Sequence, residues 1–197
     1  MSTSSHAQGG RFELDPVVVG HRECEAWAAY YRRDWSRFLI SAVGMVQAGF
    51  GMRRDLTVRG AWHVLRANQY WAAGDPPAAR RSMAQFYELI VDWERMAIDP
   101  TVAADLEVEW WRAHRFRTHG DKVSSDGIID RLTALYDYLY AADPAATRRA
   151  AEHRVQAMDF SDRWVAAGRR KLDPLLIKER RALVECYTAL GAVAGSR

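Results

Sequence analysis

The sequence predicts an all-α protein, with about seven antiparallel helices in a bundle or an array of helical hairpins. Two observations carry that expectation. The six prolines stand at positions 16, 76, 77, 100, 144 and 174, and five of them directly follow an aspartate. An aspartate cap accepts the free N–H groups of a first helical turn, and proline has no N–H to leave unpaired there. The prolines therefore mark helix starts. Apolar residues recur between them at helical spacing, and no segment sustains the two-residue alternation of β-branched side chains that a strand needs. At 197 residues the chain fits one domain, read as residues 16–197 behind a disordered tail over 1–15.

The elements follow in order. The first helix is read from Pro16 or His21 to Ala48, with Trp27, Tyr31, Phe38, Ala42 and Met45 on one arc. Gly49, Gly51 and the Arg53-Arg54 pair make the turn. The second, Leu56 to Ala73, is apolar almost all round, which is the pattern of a central helix. Gly74-Asp75-Pro76-Pro77 ends it and opens a third that carries Met83, Phe86, Ile90 and Trp93. The fourth, from Asp99 to Gly120, places Val102, Leu106, Trp110, Ala113 and Phe116 on one arc with Glu109 inside it. Ser124 or Ser125 caps a fifth with Ile128, Leu132, Leu135 and Leu139. A sixth runs from about Ala145 to Ala167, and Asp173-Pro174 opens the last, with Leu176, Leu183, Tyr187 and Leu190 inward.

Glycines 74, 120 and 168 each close a helix, and the helix after each ends in a related tetrapeptide. These are Tyr87-Glu88-Leu89-Ile90, Tyr136-Asp137-Tyr138-Leu139 and Tyr187-Thr188-Ala189-Leu190. The spacing points to helical hairpins of about 47 residues, in the range of helical-repeat units. Trp62, Leu65, Gly74, Ala78 and Phe86 also loosely resemble a tetratricopeptide unit, although Arg66 stands where that pattern wants a small residue. Over a wider span, Leu65 to Gln69, Leu106 to Arg115 and Glu152 to Trp164 resemble a family of uncharacterised actinobacterial helical proteins. That resemblance implies an all-helical fold and no particular activity.

Composition narrows the function classes. The chain carries 28 Lys and Arg against 25 Asp and Glu, a net charge of +3. Arginines spread along a chain do not make the clustered cationic face that nucleic acid requires, so a nucleic-acid role is not expected. No basic-then-apolar leader opens the chain, and the longest apolar run, Phe38 to Val46, is too short to span a bilayer. A cytoplasmic, membrane-free protein is expected. The two cysteines, Cys24 and Cys186, sit among apolar neighbours and read as core residues rather than reactive thiols. Eight tryptophans fit either helix-crossing core positions or an aromatic-lined pocket, and core packing is the simpler reading.

No glycine-rich nucleotide loop, His-Glu-x-x-His, paired cysteines or EF-hand loop is present, and no Glu-x-x-His pair marks a ferritin-like bundle. No cofactor or metal ligand is therefore assigned. What remains is a set of polar residues on apolar arcs: Asp34, His63, Glu109, Arg154 and Asp162. Buried carboxylates must be paired, hydrogen-bonded, protonated or metal-bound. One reading is a structural network in which Arg154 bridges Glu109 and Asp162. The other is a catalytic acid–base site with His63, or a carboxylate site for iron, manganese or zinc. Arg112, Arg115 and His119 crowd the end of the fourth helix, where cations complement the helix terminus or hold an anion. The favoured function is a non-catalytic interaction or scaffold protein, with a protein partner or self-association. The alternative is a small-molecule enzyme or ferritin-like oxidase that uses those residues inside the bundle.

Overall fold

The computed structural model describes residues 14–118, 124–141 and 144–194. Among them are eight helices and no strand: α1 (Pro16–Tyr31), α2 (Trp35–Phe50), α3 (Arg54–Ala72), α4 (Pro76–Glu94), α5 (Pro100–Thr118), α6 (Ser125–Tyr140), α7 (Pro144–Ala166) and α8 (Pro174–Ala194). Five of the eight begin on a proline. Asp15 Oδ1 accepts from Val17 and Val18, Asp75 Oδ1 from Ala78, Asp99 Oδ1 from Thr101 and Asp173 Oδ1 from Leu175. Ser124 does the same for α6 by accepting from the Gly127 amide.

The helix expected from Pro16 to Ala48 is two helices. Arg33 takes a left-handed conformation with φ near 60°, and the Asp34 amide closes the turn on the Ala29 carbonyl at 2.9 Å. Asp34 then caps α2 by accepting from the Arg37 amide at 3.1 Å. Its apparent place on the apolar arc came from running one helical phase through this break. Gly74 and Gly168, both at positive φ, terminate α3 and α7. Gly120 lies outside the described residues, as do 1–13 of the expected tail.

Each helix packs on its chain neighbours, and α8 packs on α1, so the eight helices close into a ring. Short connections make consecutive helices antiparallel. The closing seam is tight: Gly20 of α1 lies so near α8 that a Cβ there would stand 2.8 Å from the Val184 amide nitrogen. The Cys24 thiol lies 3.5 Å from the Leu176 carbonyl across the same seam. The apolar core is distributed around the ring. One large cluster includes Val108, Ile128, Leu132, Ala150 and Val155, and a smaller one centres on Trp164 where α7, α8 and α1 meet.

Some tryptophans take core positions and others are exposed. Trp164 is fully buried and donates its indole N–H to the Arg170 carbonyl at 2.9 Å. Trp110 and Trp111 are also buried, whereas Trp35, Trp62 and Trp93 are exposed. No helix among the described residues is long and apolar enough to cross a membrane.

Candidate functional site

The ring encloses a chamber of about 180 Å³ to which all eight helices contribute side chains. That is on the order of ten times the space one water needs. Lining residues that keep partial exposure include Leu14, Met45, Phe50, Leu139 and Tyr140. They stand where α1 begins and where α2 and α6 finish, which puts the mouth at that end of the ring. Ten of the lining residues are aromatic. The tyrosines of the three related tetrapeptides, Tyr87, Tyr136 and Tyr187, sit on α4, α6 and α8 and all face this chamber. The repeated motif therefore marks the inner face of three even-numbered helices.

Three charged side chains line the chamber among the described residues: Glu23, Glu107 and Arg154. Arg154 of α7 embraces Glu23 of α1, with Nη1 donating to Oε2 at 2.6 Å and Nη2 reaching Oε1. The Tyr187 hydroxyl donates to the same Oε2 at 2.6 Å, and the Trp27 indole donates to Oε1 at 3.1 Å. Burial disfavours the Arg154 charge, but Glu23, with smaller contributions from Tyr187, Tyr136 and Cys186, outweighs it and holds the guanidinium well above its ordinary pKa. The pair is bidentate and almost fully satisfied, the condition under which buried charges are tolerated.

Glu107 of α5 is different. Its Oε2 accepts from the Tyr87 hydroxyl at 2.9 Å and its Oε1 from the Trp111 indole at 3.0 Å. No cation forms an ion pair with it among the described residues. Burial raises its pKa above the usual carboxylate range, with Arg154 acting in the opposite direction. It keeps partial exposure and lines the chamber. Each carboxylate thus binds a tryptophan four residues ahead on its own helix, Glu23 with Trp27 and Glu107 with Trp111.

Beyond Trp27, Trp110 and Arg154, towards the opposite end of the ring, lies a second cavity of about 30 Å³. Ser161 Oγ and Glu179 Oε2 belong to residues of its lining, are buried and have no hydrogen-bond partner among the described residues. Burial pushes the Glu179 carboxyl up to about 8, and Glu23 adds repulsion in the same sense. His114 and Asp162 bridge α5 and α7 beside this cavity, Nε2 to Oδ2 at 3.0 Å. Cys24 and Cys186 are buried thiols pushed up to about 12, chiefly by burial, and remain protonated near neutral pH.

The polar constellation expected from helical phase is mostly not assembled. Asp34 is an exposed cap on α2. Glu109 is 39% exposed and pairs with Arg80 at 2.8 Å and Arg112 at 3.7 Å, not with Arg154. α5 buries Ala103, Ala104, Val108, Trp110, Trp111 and Ala113 and turns Glu107 to the chamber, while Val102 is exposed. The expected arc captured Trp110 and Ala113 but is centred part of a turn away from the buried face, so it includes Glu109 and not Glu107. Arg154 is buried as expected, with Glu23 as its partner. Asp162 is half-buried and binds His114 instead.

His63 lies elsewhere, in an open groove between α3 and α4 with Trp62, Arg66, Tyr70 and Arg81. Its pKa is lowered, chiefly by burial and then by Arg59. The structure therefore does not bring Asp34, His63, Glu109, Arg154 and Asp162 together into one acid–base site. Of the anion-site residues, Arg112 pairs with Glu109, Arg115 donates to the Trp71 carbonyl at 3.2 Å and His119 lies outside the described residues. Among the described residues no group of three or more His, Cys, Asp or Glu is placed to hold a metal ion.

Glu23, Glu107 and Glu179 were missed by sequence reasoning. The first two carried a usable signal, a glutamate four residues before a tryptophan on a helix. Glu179 carried none. No protein-family model, no curated protein and no solved structure matches this chain.

Proposed function

We propose that the protein binds a small, predominantly apolar molecule inside the helical ring. The observation that supports this reading is the chamber itself, with aromatic and aliphatic walls drawn from every helix except α7, which contributes Arg154, and a few fixed hydrogen-bonding groups. Binding sites for small molecules have this composition: mostly apolar, with a small number of placed polar groups. A close-packed core would leave few voids larger than one water. The test is thermal stability with and without a neutral apolar probe such as hexan-1-ol. Saturation near one hundred times Kd adds about 2.7 kcal/mol, which raises Tm by about 5–10 °C in a chain of this size. Met45 stands at the mouth, so Met45→Trp should abolish that rise. An unchanged Tm for the wild type, or an equal rise in the variant, overturns the reading.

A self-associating or partner-binding role has one observation in its favour. Val58 and Trp62, four residues apart on α3, are each about half exposed. Apolar side chains at that spacing form one stripe on a helix surface. Sedimentation velocity across a concentration series tests it. A concentration-dependent dimer that Trp62→Glu disperses supports the role, and a monomer throughout argues against self-association.

A further inference from the structure

From the charges inside the chamber, and resting on the binding role just proposed, we infer that its ligand carries a protonated amine that docks on Glu107. The chamber wall holds two carboxylates and one guanidinium among the described residues. The guanidinium of Arg154 is spent on both oxygens of Glu23. Glu107 therefore has no cation paired with it in an apolar enclosure, where burial favours its protonated form and a docking ammonium would stabilise the carboxylate. Its two oxygens accept from Tyr87 and Trp111, and the Trp110 indole also acts on the carboxylate as a donor. A carboxylate offers about four acceptor sites, so it can still receive an N–H from a ligand.

The surroundings of Glu107 are aromatic. Trp111 and Tyr87 flank Glu107, Trp110 stands edge-on to Trp111 with ring centroids 6.1 Å apart, and Phe86 packs on Tyr87 at 5.6 Å. Aromatic faces attract ammonium groups within about 6 Å of a ring centre and repel anions. A carboxylate ligand would have to displace Glu23 from Arg154. The ligand class is therefore a primary or secondary aliphatic amine with an apolar body of a size to fill about 180 Å³.

Three ligands of equal length test this: n-hexylammonium, hexan-1-ol and hexanoate, titrated at pH 7 with tryptophan fluorescence and Tm as readouts. The expected order is hexylammonium tighter than hexanol by about tenfold, with hexanoate weakest. Glu107→Gln should collapse the ammonium-to-alcohol ratio towards one. The ranking on the wild-type chain decides the question even if that variant does not fold. Equal binding of ammonium and alcohol overturns the amine assignment and leaves the chamber's binding role standing. Tighter binding of hexanoate overturns it and assigns the polar end to Arg154. If none of the three binds, the chamber's binding role fails and the amine assignment falls with it.

Discussion

Two glutamates on opposite sides of the ring illustrate how burial sets the worth of an ion pair. Glu23 and Arg154 face each other out of water, with the carboxylate 5% exposed and the guanidinium 11% exposed. Removal of one partner strands the other charge, at a cost of about 3–5 kcal/mol. Arg154→Met should therefore lower the urea midpoint sharply. The double variant Arg154→Met with Glu23→Gln should recover part of the loss, because it leaves no buried charge behind. An additive double mutant would sink the coupling. Glu109 is the opposite case. It is a solvent-screened partner of Arg80 and Arg112, and Glu109→Ala should cost no more than about 1 kcal/mol. A loss as large as that of Arg154→Met would mean that Glu109 does more than its exposed pairs allow.

At the scale of the helix, spacing and phase have separate origins. Where each helix starts was legible, because Asp-Pro caps act through bonds within four residues. Which face turns inward was less so. On α5 Glu109 falls inside the arc through Val102, Leu106, Trp110, Ala113 and Phe116, whereas Glu107, about 160° away around the helix, falls on the side that Ala103, Ala104 and Val108 bury. Glycines show the same division. Gly20 lies inside α1 and Gly49 in the last turn of α2, and within a helix alanine is intrinsically better by up to about 1 kcal/mol. A Cβ at Gly49 meets nothing within 4 Å, whereas one at Gly20 would collide with α8 backbone. Gly49→Ala should therefore be neutral to stabilising, and Gly20→Ala should destabilise by about 1–3 kcal/mol through strain at the closing seam. Chemical denaturation of both variants checks the pair, and a stabilising Gly20→Ala would contradict the tight α1–α8 approach.

Across the whole molecule, ring closure places carboxylates where solvent cannot stabilise their charge, and this makes stability depend on pH. Glu179 has a folded pKa raised to about 8 from an ordinary 4.5, chiefly by burial. Between those values the folded chain holds a proton that the unfolded chain has released. Its contribution is therefore complete below about 4.5 and is lost as pH rises through about 8. The raised pKa of Glu107 acts with the same sign. Glu179→Gln removes one of these titrations, so the Tm of the variant relative to wild type should climb from about pH 5 to about pH 9. Parallel Tm profiles for the two proteins would show that Glu179 titrates alike in both states.

The sequence by itself determined the all-helical class, most helix starts, the glycine stops at 74 and 168 and the burial of Arg154. Each follows from interactions within one helix turn or from the apolar character of a face. It also exposed the three related tyrosine endings, although not that they converge on one chamber. Only the tertiary structure decided that the chain turns at Arg33, that α8 returns to α1, and that Arg154 finds Glu23 a full 131 positions away. Partner choice among buried charges depends on which helices meet and at what height, and no local pattern encodes that. The chamber has the same origin. It exists because eight helices close around a space that their inward side chains do not fill, a property of the ring rather than of any one of its segments.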